Sequence, residues 1–546
     1  MENPTQASLA DSVSAKLAPT ELVSAKLPPP AEPWDIQAKY ACLILLAMAY
    51  TLFSMRLHTY GEPIERDMGG YSTIAENILH GGRFFEGANM DQKPPLVHTT
   101  WALAQAVAGF GRGSIFLLNL LAGLGSMIGL YKAGTWITGR RFVGLWAAAF
   151  WTVVSGHLLL EANQPNTEVF INVFITFGFG LLLSIRGSAN QTSKLILIGT
   201  CFAAATLYKH IVVVIPFFIG VGYLLTPPAG RSGKRAFQDL LLIASVGAFI
   251  WVAMIGYFAV TGRFQNLVLA LVLFNKFYAS SKFGGAGPIA NVLHSLTLQR
   301  LFPPRLYFSL PFLGLVITGM LIAVRQQRRL LFPCLLLIGQ AVGTQVAVAL
   351  PGKFFPHYYQ LWFPFLIIAA SWGLGAILML KPAPLRAVNL VGGVVLAILI
   401  CIELPDYLTK TPVEWSRAKY GEIFVRTDQV ATAINQLLLP DETFFQFGSE
   451  CQLYTATGRR SPSIVCDYYA AMGPMAQMQT ELMFKDFEKS PPDLLLVSKL
   501  APIGPNYPLI PWLKGRYTLI RSLNFDPFFA FARNGSKFQQ RLATAR

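Results

Sequence analysis

Charged residues are scarce in this chain. Of its 546 residues only 13% are Asp, Glu, Lys or Arg, whereas 53% are hydrophobic and the mean hydropathy is +0.47. A soluble globular protein carries about twice that share of charge, so the composition excludes that class. It predicts a polytopic α-helical membrane protein that is embedded in a lipid bilayer.

Negative charge is the scarcer sign, with 28 Asp and Glu against 44 Lys and Arg and a formal net charge of +16. Such an excess can indicate nucleic-acid binding. Here, however, the basic residues form short clusters between apolar runs rather than one continuous patch, so nucleic acid is not predicted as a partner. Because Lys and Arg accumulate on the cytoplasmic side of membrane helices, the clusters indicate topology instead.

Long apolar runs dominate the first 404 residues, and eleven of them are interpreted as membrane spans. They lie near residues 38–57, 114–134, 141–159, 167–185, 194–208, 211–226, 237–260, 306–324, 330–350, 358–380 and 387–404. With these spans the basic clusters all fall on one side, which is therefore the inside. A further run, 94–110, would break this alternation, so we expect it to be re-entrant or to lie along the outer membrane surface.

The remaining boundaries follow from this topology. Residues 1–36 are rich in Pro, Ala and Ser and are predicted to be a disordered cytoplasmic tail, with no cleavable signal before the first span. Residues 37–404 form the predicted transmembrane domain, and its exterior loop covers residues 58–113.

Acidic residues are absent from residues 240–402. In the first half of the transmembrane domain they all fall on the outer side apart from Asp239, whereas the outer loops of its second half carry cations such as Lys353 and His357. One interpretation is charge balance at a headgroup surface. The other is a site in which cations bind a phosphate and a carboxylate takes a proton. The polar segment from Gly61 to Trp101 carries most of the acidic charge of the membrane part and is predicted to hold that site.

Residues 405–546 are more polar, with short β-like runs separated by Gly and Pro. The odd number of spans predicts an exterior α/β domain there. Four of the six cysteines lie in spans, and only Cys451 and Cys466 lie in this domain. If Thr443 to Phe447 and Ser463 to Cys466 are neighbouring parallel strands, the two cysteines meet at one sheet edge, so we expect a disulfide between them.

The exterior loop contains a motif that resembles a known family. The motif is Glu65-Arg66-Asp67-Met68-Gly69-Gly70-Tyr71, followed by Ala75, Ile78-Leu79, Gly81-Gly82 and Lys93-Pro94-Pro95-Leu96. It resembles the first exterior loop of the GT-C fold, polyprenyl-phosphate-dependent glycosyltransferases, which include protein O-mannosyltransferases and the aminoarabinose transferases of lipid A. Further similar segments are Asn166-Thr167-Glu168, Tyr208-Lys209-His210 and His357-Tyr358-Tyr359.

This resemblance implies an inverting membrane glycosyltransferase in a bacterial inner (plasma) membrane, with its active site facing the periplasm or exterior. The donor would be a polyprenyl-phosphate-linked sugar, and the acceptor a hydroxyl of a lipid, glycan or protein. The alternative from another class is a transporter or flippase of lipid-linked sugars. Against it, the polar residues cluster at one membrane face, whereas a transporter usually has its site near the midplane.

The resemblance also assigns roles to residues. Asp67 matches the family's catalytic aspartate and would act as general base; its alternative role is to cap a helix expected to begin near Tyr71. The predicted donor phosphate-binding residues are Lys93, Lys209, Lys353, His357 and Tyr358. For the lysines the alternatives are a headgroup contact and snorkelling. A lysine between two apolar runs, such as Lys209, normally needs a charged partner or a pathway.

Sugar or acceptor binding is predicted for Glu65, Tyr71, Asp91, Asn166 and Glu168, although Glu168 could instead simply begin a helix. His157 and Glu161, expected one helical turn apart, are the candidates for metal ligation, but two ligands are too few to define a site. The family usually has glutamate at the positions of Met68 and Gln92, so the resemblance gives less support to a second catalytic carboxylate and to a metal. No cofactor is certain, and a divalent metal stays open.

Overall fold

The structure is a computed structural model that describes residues 35–544, except residues 88, 188, 281–284, 327–330, 379–384, 468–472, 502–506 and 522–524. The predicted tail and parts of two basic loops thus lie outside the described residues. Every one of the eleven predicted apolar runs is helical, which confirms the polytopic α-helical fold class. A bilayer offers the backbone no hydrogen-bond partner, so an apolar run of this length must satisfy its own polar groups as a helix.

Besides four short 3-10 helices, the membrane part contains sixteen α-helices in its described residues. They are α1 (Ala38–His58), α2 (Arg66–Leu79), α3 (Leu96–Ala108), α4 (Arg112–Thr138), α5 (Arg141–Val154), α6 (Thr167–Leu183), α7 (Thr192–Tyr208), α8 (Val214–Leu225), α9 (Gly233–Val260), α10 (Phe264–Tyr278), α11 (Pro288–His294), α12 (Leu298–Leu301), α13 (Leu310–Gln326), α14 (Leu331–Ala349), α15 (Trp362–Ile377) and α16 (Leu385–Thr409). Within the described residues, seven helices are both long and apolar enough to cross a membrane. The other four predicted spans form helices or helical stretches of 10–17 residues.

Glycines let these helices approach closely. A Cβ atom added to Gly373 of α15 would lie 2.1 Å from the carbonyl oxygen of Leu315 in α13. One added to Gly343 of α14 would lie 2.6 Å from the Cα atom of Ile215 in α8. Backbones in contact at small residues are typical of membrane helix packing, where van der Waals contact replaces the hydrophobic effect.

Three of the basic loops, which carry Arg140-Arg141, Arg186 and Arg231, lie together at one end of the bundle, which we call the basic end. The backbone N–H of Arg141 donates to Asp35 at 3.2 Å, beside the start of α1. The N–H of Gly187 donates to the carbonyl of Ala229 at 2.9 Å, which joins the α6–α7 loop to the α8–α9 loop. These contacts agree with the predicted grouping of the clusters on one side of the membrane.

The segment 58–113 begins and ends at the opposite end, which we call the site end. The rings of Tyr60, just after α1, and Phe116, near the start of α4, lie 5.6 Å apart. Between them α2 and α3 pack side by side, and the Gln105 amide donates to the backbone carbonyl of Ser72 at 2.9 Å. With 13 residues, α3 is about 20 Å long, shorter than the hydrocarbon core of a bilayer.

The C-terminal domain carries α17–α22 around one four-stranded sheet. Its elements are α17 (Pro412–Tyr420), α18 (Ile423–Leu437), β1 (Phe444–Phe447), α19 (Gln452–Thr457), α20 (Ala476–Lys489), β2 (Leu494–Ser498), α21 (Leu509–Leu513), β3 (Tyr517–Leu519), β4 (Phe528–Arg533) and α22 (Lys537–Thr544). The strand order is β1-β2-β4-β3, with β1 parallel to β2 and the other pairs antiparallel. The predicted α/β character is confirmed.

Two predictions for this domain are wrong. Residues 463–466 are not a strand, because β1 pairs with the buried apolar strand β2 instead. Cys451 and Cys466 are free thiols, and the Cys451 Sγ donates to the backbone carbonyl of Cys466 at 3.4 Å. The expected disulfide assumed a strand pairing that does not form.

Candidate active site

The helix that carries Asp67 begins at Arg66, not near Tyr71 as expected. Its cap is Glu65, whose carboxylate accepts the backbone N–H groups of Asp67 at 2.9 Å and Met68 at 3.0 Å. These N–H groups have no partner within the helix, so the cap explains why α2 starts there. The alternative role of Asp67 as a cap is therefore wrong.

Asp67 lies in the first turn of α2 and is half-buried. Among the described residues, no side chain or N–H group donates a hydrogen bond to its carboxylate. Its neighbour Glu65 is buried, and burial followed by the Asp67 charge raises the pKa of Glu65 to about 8, although the N–H of Asp67 acts in the opposite direction. Glu65 thus tends to keep its proton at neutral pH.

Lys93 lies beside Asp91, with 3.6 Å between Nζ and Oδ2, and its ammonium is 4.8 Å from the ring centre of Tyr71. Burial lowers the pKa of Lys93, but the charges of Asp91 and Asp67 outweigh it and hold that pKa above its usual value. Lys93 therefore stays charged. For Asp91, burial would raise the pKa, and Lys93 and His98 lower it to about 2.

His98 was not predicted from the sequence. It is fully buried on α3, and its Nε2 lies 3.2 Å from the Oδ2 of Asp91. Its ring packs on Phe84 at 4.7 Å and against Tyr71 at 5.8 Å. One sequence signal could have found it: a histidine one residue after Val97 and three before Trp101, on the apolar face of a helix that follows Lys-Pro-Pro.

Lys209 has the charged partner that its position required. Its Nζ lies 2.8 Å from Oε1 of Glu168, and both side chains are largely buried. Lys209 directly follows α7, and Glu168 lies in the first turn of α6. The ammonium also stands 3.4 Å from the ring centre of Tyr358, a contact that favours a cation.

Asn166 precedes α6 and is buried, and its side chain makes no hydrogen bond to any described residue. A buried amide without a partner is costly, so this one suits a bound polar ligand.

His157 and Glu161 do not form a ligand pair. Helix α5 ends at Val154, and Glu161 has a left-handed backbone (φ 57°), so the expected helical spacing is wrong. His157 Nδ1 lies 2.6 Å from Glu403, whereas Glu161 lies 3.1 Å from His357. Within the described part of the chain, no three His, Cys, Asp or Glu side chains form a group suited to a metal ion.

A cavity of about 240 Å³ joins several of these residues. Lys93, Lys209 and Tyr358 line it, as do Asn275, Lys276 and Tyr278 from α10. Lys353 stands 4.8 Å from the ring centre of Tyr278, and the ring of His357 lies 4.8 Å from that of Tyr358. Three of the five predicted phosphate-binding residues thus line one cavity, and Lys353 and His357 contact residues that line it. The segment from Gln265 to Ser280, apolar and then basic, predicts an amphipathic surface helix that could cover the donor, and α10 covers most of this segment.

Comparisons with known proteins agree with this architecture. Residues 92–258 match the family model of dolichyl-phosphate-mannose-protein mannosyltransferases. A search of curated protein sequences gave no significant match. The family match covers under a third of the chain; it agrees with the predicted resemblance to GT-C glycosyltransferases and favours an enzyme over a transporter.

Two solved structures show the shared fold. ArnT from Cupriavidus metallidurans bound to undecaprenyl phosphate has a TM-score of 0.57 and 16% identity, over 92% of this chain and 99% of that one. The archaeal oligosaccharyltransferase AglB from Archaeoglobus fulgidus, in complex with an inhibitory peptide and a dolichol-phosphate, has a TM-score of 0.50 and 12% identity, over 84% and 69%.

Proposed function

We propose that this protein is a membrane glycosyltransferase that takes its sugar from a polyprenyl-phosphate-linked donor. It transfers the sugar, with inversion, to a hydroxyl group of a lipid, glycan or protein. The observation that carries the proposal is the cavity lined by Lys93, Lys209 and Tyr358, close enough to Asp67 for its charge to help raise the pKa of Lys93. The lipid phosphates bound by ArnT and AglB support this class of donor.

The two lysines supply what the leaving group needs. Cleavage of the bond between the anomeric carbon and the phosphate oxygen leaves its electron pair on the phosphate. Fixed cations in a buried site stabilise that charge. Lys93 and Lys209 are both largely buried and each faces one carboxylate, Asp91 and Glu168, so the pairs are held in place before the donor arrives.

Asp67 is the proposed base. A carboxylate is too weak to deprotonate a sugar hydroxyl before reaction, so Asp67 takes the proton as the oxygen of the acceptor bonds to the anomeric carbon. Asn166 and Glu168 suit the sugar or acceptor hydroxyls. Basic loops usually lie on the cytoplasmic side of a membrane. The proposed orientation therefore has the site end facing the periplasm or exterior of a bacterial inner membrane.

The test uses purified enzyme and two readouts, donor binding and turnover. The donor is first identified by mass spectrometry of the lipid-linked sugar that accumulates in a deletion strain. Asp67→Asn keeps the size of the side chain but removes its basicity, so it should lower turnover by about 10²–10⁴-fold and leave binding of undecaprenyl phosphate nearly unchanged. Transfer by Asp67→Asn at close to the parental rate would contradict the assignment, and Glu65 and Asp91 would be tested next.

A further inference from the structure

The C-terminal domain touches the helix that carries Asp67. Arg66, the residue before Asp67, places its Nη2 2.5 Å from Oε1 of Glu450. Glu450 follows strand β1 and its side chain is only 1% exposed. Its other carboxylate oxygen accepts the Gln452 amide at 2.7 Å, and its backbone N–H donates to Gln446 at 3.2 Å. Glu450 is therefore fixed inside its own domain, and Arg66 is attached to it from outside.

One helical turn further along α2, the two backbones meet. A Cβ atom added to Gly69 would lie 2.2 Å from the backbone nitrogen of Gln452 and 2.4 Å from its Cα atom. No side chain fits between α2 and the start of α19. Gly69 is thus required by the contact between the helix and the domain.

The place of this contact on the sheet is informative. β1 and β2 are parallel neighbours, and residues 448–452 leave the carboxyl end of β1. In α/β sheets that edge is where ligands usually bind. Here the start of α2 occupies that edge. The candidate active site of the same chain therefore lies where a ligand would usually bind.

A second contact joins the C-terminal domain to the segment before the Glu65 cap and to the loop before Asn166. Lys419 of α17 forms a salt bridge with Glu62, and its ammonium donates to Asn163 at 2.9 Å. The neighbouring Tyr420 hydroxyl donates to Gln164 at 2.7 Å. The Lys419 side chain is 1% exposed. The chain entering Glu65 and the loop entering Asn166 are therefore both attached to the C-terminal domain.

We propose that the C-terminal domain positions the catalytic carboxylate, with Glu450 and Lys419 as positioning residues that act on Asp67 and its neighbours through Arg66 and Glu62. A displacement of about 1 Å at a reacting group can cost about 100-fold in rate. Loss of the Arg66–Glu450 contact should therefore lower turnover while donor binding, which depends on Lys93 and Lys209, is kept. The proposal rests on Asp67 as the base.

A double-mutant cycle tests it. Glu450→Gln alone should lower turnover about 10- to 100-fold with the affinity for undecaprenyl phosphate unchanged. In the Asp67→Asn background, the same substitution should change turnover less than about 3-fold, because the group that it positions is already inactive. Arg426→Gln is the control, since it breaks an exposed pair with Asp526 inside the same domain and should keep parental turnover.

Each outcome of the cycle either supports the proposal or overturns it. Parental turnover in Glu450→Gln would overturn the proposal, as would an equal effect in both backgrounds, which indicates a general structural role. If Asp67→Asn itself transfers sugar at the parental rate, the proposed base is wrong and the positioning role falls with it. Should Glu450→Gln not purify as a folded protein, Arg66→Lys takes its place in the cycle, since it keeps the charge and loses only the planar geometry.

Discussion

His98, which is buried on α3, lies beside the Asp91–Lys93 pair. Its Nε2 lies 3.2 Å from Asp91, and Asp91 lies 3.6 Å from Lys93. The Asp91 carboxylate faces both His98 and Lys93. It therefore attracts Lys93 less strongly than it would if His98 were absent. If Lys93 binds the donor phosphate as proposed, this leaves more of its charge to act on that phosphate.

We expect His98→Phe, which keeps the apolar packing but removes the ring nitrogens, to weaken binding of undecaprenyl phosphate about 10-fold. Asp91 would then face Lys93 alone, and a 10-fold loss of affinity corresponds to about 1.4 kcal/mol. Turnover at saturating donor should change little. Titration of the lipid phosphate into the purified variant measures this, with Lys93→Ala as the reference for full loss. An unchanged affinity in His98→Phe would refute the link.

Glu65 should make stability depend on pH. Its pKa is raised from 4.5 to about 8 in the folded protein. Between these values the folded state keeps a proton that the unfolded state releases. The contribution is therefore complete below about pH 4.5 and is lost as the pH rises through 8, with a slope of at most about 1.4 kcal/mol per pH unit.

Glu65→Gln retains an oxygen that can accept the N–H groups of α2 but does not titrate. We expect the Tm of the parental protein to fall relative to that of Glu65→Gln as the pH rises from 5 to 9. Thermal unfolding of both proteins in detergent, at several pH values, shows this directly. Parallel Tm profiles would mean that Glu65 does not hold its proton in the folded state.

At the level of elements, helices α6 and α7 are joined at the site end by the Glu168–Lys209 pair. The two groups lie 2.8 Å apart, with side-chain exposures of 1% and 12%. Removal of one partner of a buried pair leaves the other charge without compensation, whereas removal of both is much less costly.

Lys209→Met should therefore destabilise the fold by about 3–5 kcal/mol. The double variant Lys209→Met with Glu168→Gln should regain most of that stability, because no charge is left unpaired. It should not regain binding of undecaprenyl phosphate, since the cation is still missing. Thermal unfolding and lipid-phosphate titration of the three proteins separate the two roles. Donor binding by the double variant at parental affinity would remove Lys209 from the phosphate site.

At the level of the whole molecule, the basic end and the site end should lie on opposite sides of the membrane. The C-terminal domain contacts segment 58–113 through Arg66 and Lys419, so both belong to the same side. Helix α3 should not cross, because its segment starts at Tyr60 and returns beside it at Phe116.

Single cysteines in a background without the six native ones test this arrangement. An impermeant thiol reagent applied to intact cells should label Ala108→Cys, at the end of α3, and Lys489→Cys, in the C-terminal domain. It should not label Lys234→Cys at the basic end until the membrane is opened. All three positions are exposed in the structure. Protection of Ala108→Cys from the external reagent would show that α3 spans.

The sequence by itself determined the class, the positions of the helices and the polar segment that holds the site. Hydropathy is a local property, and a bilayer permits an apolar run little besides a helix, so all eleven runs could be located. The spacing from Glu65 to Lys93 pointed to the family for a similar reason, because it is written along one stretch of chain. A need for a charged partner at Lys209 also followed from its apolar surroundings alone.

Only the tertiary structure decided which side chains meet. The Arg66–Glu450 contact joins residues 384 positions apart, and Lys209 finds its partner 41 positions away, in Glu168. No periodicity encodes such pairs, since they depend on how helices and sheet edges pack. The contact of α2 with α19, the meeting of Lys93 and Lys209 with α10 at one cavity and the free thiols beside β1 all required that packing, because each is set by a neighbour distant in the chain or by the competition among strands for a partner.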